Sequence, residues 1–430
     1  MNPVRATRAL CTVCGRLLEA RKRFLPDAVL LERNCPEHGP LSTVLSQDPR
    51  RLSDETFDTP GKRLASYPAA RDKGCPEDCG YCPEHGQHVC TGLIEVTGRC
   101  DMACPICYSA GLPPLDLSLE ECEARLSCLL EAEGGRAEVV QISGGEPLLH
   151  PRLLELLERT AGRRVGRILL NTNGERLLED AGLRAGLKRL RDRVEVYLQF
   201  DGFDDDANTL LRGRPTSSRR LETLRLLDED EVKVTLSVVL FEKNLGQAGP
   251  TLDLAVRTKN VAGVVFQRLI ARGNASPKSS GHDAILAALR STKRFGERDL
   301  IPLPCSHREC TSLSFLLCKD GKSRPAADFV DYREHKAILS DRIAFDETVL
   351  EHARSCGCLD AFKTSPFARF FALSRNSAFE GMKVLRVFVK NFMDRETFDA
   401  ERARRCCVGV VTSADRIVPF CVFNNLRRAA

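Results

Sequence analysis

The sequence predicts an α/β protein whose centre is a partial (β/α)6 barrel, and two features of its 430 residues carry this prediction. Between residues 91 and 270, six short β-rich runs alternate with helical stretches, which implies parallel strands joined by right-handed crossovers. The 20 cysteines fall in clusters, with none between Cys128 and Cys305, and such clusters suit metal sites better than scattered disulfides. We therefore expect four segments: an N-terminal metal module (1–50), a linker with a cluster segment (51–90), the barrel (91–270), and a C-terminal cluster and substrate region (271–430).

Composition argues against some classes of function. The 64 basic and 59 acidic residues leave a net charge of +5, too small to argue for nucleic-acid binding. Trp is absent and Tyr is scarce, so platforms for base stacking are poorly supplied. The first residues lack the apolar core of a signal peptide, and no apolar run is long enough to span a bilayer. We therefore expect a cytoplasmic protein in a reducing compartment.

The N-terminal module carries two metal-binding hooks around a short predicted strand, Leu30–Arg33. Its expected ligands, three thiols and one imidazole, are Cys11, Cys14, Cys35 and His38. This tetrahedral set suits zinc or a single iron and resembles a zinc ribbon or a rubredoxin-like knuckle. The alternative is that His38 only packs and that a water or another Cys completes the site. Residues 50–72 are polar and broken by Pro and Gly, which predicts a linker.

A second dense cluster ends the 51–90 segment. Its four thiols, a triplet and one residue just before the first barrel strand, are Cys75, Cys79, Cys82 and Cys90. Four thiolates can ligate every iron of a cube, so we predict an auxiliary [4Fe–4S] cluster. His85 and His88 lie between these cysteines, and we expect them to cap or hydrogen-bond the loop. The alternative is that this first triplet is the catalytic one described next.

The third cluster, Cys100-Asp-Met-Ala-Cys104-Pro-Ile-Cys107, follows the β-rich run Leu93–Thr97. Three thiolates on one loop can hold three irons of a [4Fe–4S] cube and leave the fourth iron open to a small molecule. The alternatives are a structural zinc knot or a disulfide framework. This spacing after a first strand resembles the radical S-adenosylmethionine (SAM) superfamily. The resemblance implies that the open iron chelates SAM and that one electron cleaves it to a 5′-deoxyadenosyl radical.

The barrel elements follow from alternating patterns after this loop. The six predicted strands are Leu93–Thr97, Glu138–Ser143, Arg167–Gly174, Val194–Gly202, Val232–Leu240 and Gly263–Gln267. Ser118 opens a helix with a capping box, on which Cys122 and Cys128 are expected to be packing residues. Further helices are predicted from Pro151 and over Leu187–Arg193, Arg219–Leu227 and Leu252–Thr258. In such a barrel, functional residues lie at the carboxyl ends of the strands.

Polar residues at these strand ends are the candidate cofactor ligands. Gly144-Gly145-Glu146-Pro147 ends the second strand; its glycines allow close backbone approach, and carbonyls and Glu146 can accept hydrogen bonds from an ammonium. The superfamily resemblance assigns this motif to the SAM amine, and a plain β-turn is the alternative. Tyr108 is expected to cover the adenine. Residues placed to touch the ribose, carboxylate or substrate, or else to make ordinary strand-end hydrogen bonds, are Asn171, Asn173, Gln199, Asp201 and Ser237.

The C-terminal region, residues 271–430, carries the remaining cysteines. We predict a second auxiliary cluster held by Cys305, Cys310, Cys406 (or Cys407) and Cys421. Cys318, Cys356 and Cys358 are left unassigned. Phe367–Asp394 is rich in Phe, Arg and Lys, which predicts a basic aromatic helix that either lies at a membrane surface or packs on the domain.

Several motifs in order narrow the resemblance to one radical SAM group. Cys-Pro-Glu-His-Gly, Cys-Pro-x-Asp-Cys-Gly-x-Cys-Pro, Cys-Pro-Ile-Cys-Tyr, Pro-Leu-Pro-Cys-Ser-His, Phe-Met-Asp and Val-Pro-Phe-Cys span Cys11 to Asn424. The chain resembles the group of the archaeal tetraether lipid synthase and the pterin-modifying radical SAM methyltransferases. The resemblance implies three [4Fe–4S] clusters and a mononuclear metal site. The chain departs from this group at Gly409-Val410, where His-Tyr is expected, and this departure leaves its substrate open.

Three hypotheses of function follow. The first is hydrogen abstraction from an unactivated carbon that joins the carbons of lipid chains, with peripheral contact at the inner membrane surface. The second is methyl transfer to a pterin or another small molecule. The third is a non-catalytic iron–sulfur electron-transfer or scaffold protein. Either enzyme needs an electron donor such as ferredoxin or flavodoxin.

Overall fold

The computed structural model describes residues 4–270, 277–344 and 382–428. The N-terminal module is a four-stranded antiparallel sheet in the order β1-β2-β3-β4. Its strands and the short helix α1 after them are β1 Val4–Leu10, β2 Leu17–Phe24, β3 Val29–Cys35, β4 Gly39–Ser46 and α1 Pro49–Ser53. The β3–β4 turn pairs Cys35 with Gly39. This turn and the loop after β1 bring the two predicted hooks to one end of the sheet.

The barrel contains the six predicted parallel strands, each beside its predecessor. They are β5 Thr91–Thr97, β6 Ala137–Gly144, β7 Val165–Thr172, β8 Val194–Gln199, β9 Val234–Leu240 and β10 Val261–Arg268. The crossover helices are α2 Leu119–Ala132, α3 Leu153–Ala161, α4 Glu175–Glu179, α5 Ala181–Arg189, α6 Asp205–Arg212, α7 Ser217–Glu229 and α8 Ala248–Arg257, with 3-10 turns at Pro147–Leu149 and Glu242–Gln247. The apolar strands and helix faces share one buried core.

The start of α2 agrees with its capping pattern, whereas α3 begins at Leu153 rather than at Pro151, and α7 and α8 begin before the predicted Arg219 and Leu252. Ser118 and Glu121 form the predicted capping box of α2, and Cys122 and Cys128 are buried on that helix. The helix predicted over 187–193 was wrong in position. The Asp180 side chain caps a helix that begins at Ala181, and the chain turns after Arg189.

The C-terminal region extends the barrel sheet at both edges. Its strands and helices are α9 His282–Ser291, β11 Ile301–Pro302, β12 Thr311–Lys319, β13 Lys322–Pro325, α10 Lys336–Leu339, β14 Lys383–Lys390, α11 Ala400–Ala403, β15 Val408–Ser413, β16 Arg416–Pro419 and α12 Phe420–Val422, with short helical turns at Ala326–Asp328 and Phe423–Arg427. β14 pairs in parallel with β10, and β15 pairs in parallel with β5. The sheet order is β11-β12-β14-β10-β9-β8-β7-β6-β5-β15-β16, with β13 on β12.

The aromatic helix predicted over 367–394 was wrong for its described part. Residues 383–390 form strand β14, because Leu385, Val387 and Val389 are buried between β10 and β12. Phe367–Phe371, Cys356 and Cys358 lie outside the described residues. In the described parts of the chain, no helix combines the length and apolarity needed to cross a bilayer.

The predicted linker packs on the body of the protein. Leu52 and Phe57 are buried. The Arg308 guanidinium pairs with Asp58 and Glu55 of this segment, at 3.1 Å from Glu55. The segment therefore ties the N-terminal module to the C-terminal region instead of separating them.

Candidate active site and metal centres

The four N-terminal ligand candidates converge. The Cys14 and Cys35 sulfurs are 3.9 Å apart, and His38 Nδ1 lies 3.7 Å from Cys11 Sγ and 3.4 Å from Cys35 Sγ. A tetrahedral ion with metal–sulfur bonds of about 2.3 Å separates neighbouring sulfurs by about 3.8 Å. All four ligand atoms lie within 4.8 Å of one another. This donor set has the spacing of a single four-coordinate ion.

A second compact group consists of Cys90, Cys305 and Cys407, called here the cysteine triad. The three sulfurs are buried and lie within 4.8 Å of one another. Cys90 immediately precedes β5 and Cys407 immediately precedes β15; these strands pair in register, and the Thr91 N–H donates to the Cys407 carbonyl at 3.1 Å. Burial raises the pKa of Cys305 well above its usual value. A raised pKa keeps a thiol protonated, and a bound metal would displace the thiol protons because cysteine binds metals as the thiolate.

The triad corrects two predicted groupings. Cys90 was expected to close the cluster of the first triplet, and Cys305 was expected to join the late cysteines. Both instead lie with Cys407, because β15 returns to pair with β5. Sequence spacing did not indicate this pairing.

The remaining auxiliary candidates form a looser group around Cys406. Its members, drawn from the first triplet and the C-terminal region, are Cys75, Cys79, Cys82, Cys310, Cys406 and Cys421. The thiols of Cys75 and Cys79 share a hydrogen bond. Cys406 interacts electrostatically with Cys79 on one side and with Cys421 on the other. Of the two adjacent cysteines, Cys407 therefore lies in the triad, and Cys406, which interacts with Cys421, Cys407 and Cys310, lies outside it.

The two histidines near these cysteines make hydrogen bonds. The His85 ring lies 4.1 Å from the Tyr81 ring, and its Nε2 is 2.8 Å from the Cys406 carbonyl. His88 Nδ1 lies 2.8 Å from Glu133. His88 Nε2 also lies 3.3 Å from Cys90 Sγ, which places it at the edge of the triad.

The third cysteine cluster lies on the loop after β5, at the carboxyl end of the barrel. Cys100, Cys104 and Cys107 line a cavity of about 230 Å³ together with strand-end residues. Cys100 is exposed and the other two are half-buried. These three thiols therefore face open space that a ligand can enter, whereas the triad is enclosed by protein.

The two motif glycines fit β6 against this loop. A Cβ on Gly145 would lie 2.1 Å from the Arg99 carbonyl oxygen, and one on Gly144, whose φ is +140°, would lie 2.3 Å from that of Thr97. The N–H groups of Gly145 and Glu146 donate to Thr97 and Arg99 at 2.7 Å. The close approach that the glycines permit is to the cysteine loop itself.

Glu146 is held by the protein on both oxygens. One oxygen accepts from Thr172 Oγ1 at 2.7 Å and from the Leu148 N–H at 3.0 Å, and the other accepts from the Asn173 N–H at 2.8 Å. The carboxyl group is 2% exposed, and burial raises its pKa to about 7. The side chain therefore fixes the cavity wall, which its backbone lines.

The other predicted ligands divide into wall residues and supports. Those that line the cavity with Gly144, Gly145 and Glu146 are Tyr108, Asn171, Asn173, Gln199 and Ser237. Pro147 instead begins a 3-10 turn. Asp201 is buried and accepts two hydrogen bonds from Arg212, at 2.6 and 3.0 Å. The Tyr108 ring packs edge-on against Phe420, 5.7 Å between centroids.

Sequence reasoning missed several wall residues. Arg212 was not among the predicted site residues, but it lies beside Cys104 and forms a buried ion pair with Asp201. Gln267 lies at the end of a predicted strand, as Gln199 does, so the same strand-end pattern could have identified it as a wall residue. Gln141 lies within β6, and Lys390 and Phe392 lie on and after β14, which was not predicted as a strand.

Comparisons with known proteins agree with this arrangement. A model of the radical SAM superfamily matches residues 94–255, and a model of the HMPTM N-terminal zinc ribbon domain matches residues 3–47. The chain is 25% identical to the 7,8-dihydro-6-hydroxymethylpterin dimethyltransferase of Methanocaldococcus jannaschii, across 98% of this chain and 94% of that protein.

Two further similarities cover less than half of the chain. Mycofactocin maturase MftC of Mycobacterium ulcerans is 31% identical across 40% of this chain and 46% of its own. The crystal structure of Streptococcus suis SuiB bound to S-adenosylmethionine aligns with a TM-score of 0.42 and 16% identity, across 48% of this chain and 47% of that one. Residues 94–255 of this chain are therefore a radical SAM domain, preceded by an N-terminal zinc ribbon.

Proposed function

We propose that this radical SAM enzyme transfers methyl groups to a polar heterocycle of the pterin class. The observation that carries the proposal is a set of amide side chains on four barrel strands that line one cavity: Gln141, Asn171, Gln199 and Gln267. Amides offer a donor and an acceptor side by side, which complements the lactam edge of a pterin. Among the described residues, the Gln141 side chain forms no hydrogen bond, so its amide is available to a ligand.

The chain's residues fit the cofactors of a radical SAM domain. Cys100, Cys104 and Cys107 supply three thiols at the open cavity and would hold a [4Fe–4S] cluster there. When bound, the cluster and SAM supply a 5′-deoxyadenosyl radical. The motif glycines set the position of the cysteine loop against β6, and Glu146 fixes the end of β6 to that of β7.

The same cavity gives little support to coupling of lipid chains. Asn171, Gln199 and Gln267 hydrogen-bond to protein groups, but the Gln141 amide does not, and burying it against an alkyl chain without a partner costs roughly 1–3 kcal/mol. An alkyl-chain substrate would instead be expected to meet a continuous apolar wall. The full-length similarity to a protein named as a pterin dimethyltransferase also supports methyl transfer over lipid coupling.

The test uses anaerobic, reconstituted full-length protein with SAM, dithionite and 7,8-dihydro-6-hydroxymethylpterin. We expect pterin-dependent 5′-deoxyadenosine and a methylated pterin, detected by mass spectrometry. S-adenosylhomocysteine among the products would identify a second SAM as the methyl donor. Cys104→Ala should abolish 5′-deoxyadenosine, whereas Cys122→Ala, on the buried face of α2, should retain it.

Three results would contradict the proposal. Product formation with a long-chain lipid but not with the pterin would favour carbon–carbon coupling. Absence of SAM binding by protein with intact clusters would favour the scaffold hypothesis. Deoxyadenosine formation by the Cys104→Ala variant would mean that another triplet is catalytic.

A further inference from the structure

Two of the cations that line the active cavity are paired with carboxylates. Glu95 pairs with Arg428, and Arg212 pairs with Asp201 at 2.6 Å. Glu146 accepts its three protein hydrogen bonds. The Lys390 side chain also lines the cavity, and among the residues that the structure describes its ammonium has no carboxylate or hydrogen-bond partner. Its electrostatic neighbours are the thiols of the cysteine triad and Cys406, above all Cys407.

The fold holds Lys390 in a defined place. It is the last residue of β14, in register with Gln267 on the parallel neighbour β10 and with Thr311 on the antiparallel neighbour β12. Its ammonium lies 5.5 Å from the centre of the Phe392 ring, which also lines the cavity. Because β14 is hydrogen-bonded to a strand on each side, its end is rigid. The position of the Lys390 backbone is therefore set before a ligand binds.

Lys390 and Gln267 together present a recognisable pattern. At the ends of paired parallel strands, one side chain offers an ammonium and the other offers an amide to the same cavity. Gln267 Nε2 donates to Ser237 Oγ at 2.7 Å and to Tyr197 Oη at 3.1 Å, which fixes the orientation of its amide. An ammonium beside an amide suits a ring that carries an electron-rich oxygen next to a ring nitrogen.

We propose that Lys390 and Gln267 bind the oxo-bearing edge of the heterocyclic substrate, with the Lys390 ammonium donating to the ring oxygen. This inference rests on the proposed function, because it names the part of the cavity that recognises the pterin. A charged hydrogen bond of this kind distinguishes an oxo ring from its amino counterpart, which presents an N–H₂ donor in place of the acceptor. It makes Lys390 a determinant of substrate specificity.

The experiment measures equilibrium binding of two probes to reconstituted enzyme with SAM bound and no reductant. The probes are 6-hydroxymethyl-7,8-dihydropterin and the analogue in which a 4-amino group replaces the 4-oxo group. We expect Lys390→Met to weaken binding of the oxo probe by roughly 10- to 100-fold, the range of a hydrogen bond to a charged group. The variant should lose most of the wild-type preference for the oxo probe over the amino probe.

Controls separate recognition from folding. Lys390→Arg should recover part of the preference, because it restores a cationic donor. Lys319→Met, an exposed position on β12, should bind both probes as the wild type does. Iron content and SAM affinity should be unchanged in Lys390→Met, and Lys390→Gln serves as a second variant if the Met protein does not fold.

The outcomes distinguish this inference from the proposed function. If wild-type enzyme binds neither probe, the pterin assignment fails and this inference fails with it. If wild type binds the oxo probe and Lys390→Met and Lys390→Gln bind it equally well, Lys390 is not its anchor, although the pterin assignment stands. Loss of iron or of SAM affinity in the Lys390 variants, with an unchanged oxo-over-amino preference, would also overturn the inference.

Discussion

At the scale of single residues, Gly145 shows how the site is set by backbone contact. Its amide donates to Thr97, and the space for its Cβ is occupied by the Arg99 carbonyl. The sequence motif identified this glycine, but it indicated approach to a ligand. The structure shows approach to the loop that carries the cluster thiols, so the glycine acts on the cofactor through the loop.

Gly145→Ala is therefore expected to displace the cysteine loop. The added Cβ would lie 2.1 Å from a backbone oxygen, a contact that no side-chain rotation relieves. A shift of about 1 Å at a reacting centre can cost roughly 100-fold in rate. We expect a loss of this size in 5′-deoxyadenosine formation, measured in anaerobic assays. Gly246→Ala, where a Cβ would have nothing within 4 Å, is the matched control; equal activity of the two variants would contradict the argument.

Arg212 and Asp201 form a buried ion pair against Cys104. Burial would lower the pKa of Arg212, but Asp201 and Cys104 outweigh this and raise it, so the guanidinium stays charged. A cation beside a ligating thiolate stabilises the more negative, reduced cluster.

The double variant Asp201→Asn/Arg212→Gln removes both charges without leaving one buried alone. We expect a more negative reduction potential for the cluster at Cys104 and a roughly 10- to 100-fold loss of activity, the usual effect of removing a group that supports a metal ligand. The potential is measured by redox titration followed by electron paramagnetic resonance. Arg214→Gln, which alters a partly exposed arginine two residues away, should leave the potential unchanged. An unchanged potential in the double variant would show that the pair only supports the fold.

At the scale of elements, the strand pairing between β5 and β15 decides which cysteines share a metal. Spacing along the chain suggested that Cys90 belongs with Cys75, Cys79 and Cys82, because four thiols then follow one another closely. The pairing of Thr91 with Val408 instead sets Cys90 beside Cys407. Local spacing describes ligands on one loop or turn well, as at each of the two hooks of the zinc ribbon and at Cys100–Cys107. It fails where strands distant in sequence assemble the ligands.

This pairing predicts which cysteine variants behave alike. Cys90→Ala and Cys407→Ala should each lose the same auxiliary centre, about four irons per chain for a [4Fe–4S] cluster. Cys406→Ala should affect the other auxiliary group. Iron and sulfide analysis together with Mössbauer spectroscopy measures how many clusters each variant retains and of which type. Cys128→Ala, on α2, is the control. If Cys90→Ala instead matched Cys75→Ala, the grouping by spacing would be correct.

At the scale of the whole molecule, the barrel was predictable and its edges were not. The six barrel strands could be predicted from the alternation of apolar runs and helical stretches, because each strand and the helix after it are adjacent in the sequence. β14 and β15 come from far along the chain and close onto opposite edges of the sheet. They bring Lys390 and Val408 to the cavity, so part of the substrate wall is specified by long-range pairing that no local pattern reveals.

The zinc ribbon is joined to the C-terminal region by a buried charge cluster. Lys22 on β2 lies 2.6 Å from Glu309 and also contacts Asp399, and these side chains are 6%, 5% and 0% exposed. Arg402 continues the network from Glu309 to Cys310, whose sulfur lies 3.6 Å from its guanidinium. The network therefore links Cys310, a candidate ligand in the group around Cys406, to the N-terminal module.

Lys22→Met should destabilise the protein strongly, because it leaves two buried carboxylates without their cation. Removing one partner of a buried pair costs about 3–5 kcal/mol. Burial would raise the pKa of Glu309, but Lys22, His307 and Arg402 outweigh it and hold the pKa well below its usual 4.5; the pKa of Asp399 is also lowered. A carboxyl group whose pKa is lower in the folded protein than in the unfolded chain stabilises the fold at pH values above its unfolded pKa. This stabilisation is lost as the pH falls toward the folded pKa.

The loss in Lys22→Met should therefore be greatest near pH 7 and should shrink as pH falls from about 4.5, where these carboxylates take up protons in the unfolded chain, toward the lower pKa values that they have in the folded wild type. Thermal unfolding of the reconstituted protein at several pH values measures this dependence. Lys259→Met, which breaks an exposed pair with Glu231, should cost less than about 1 kcal/mol at any pH. A deficit in Lys22→Met that is small, or that does not change with pH, would mean that the ribbon is held by its apolar contacts and its linker rather than by these charges.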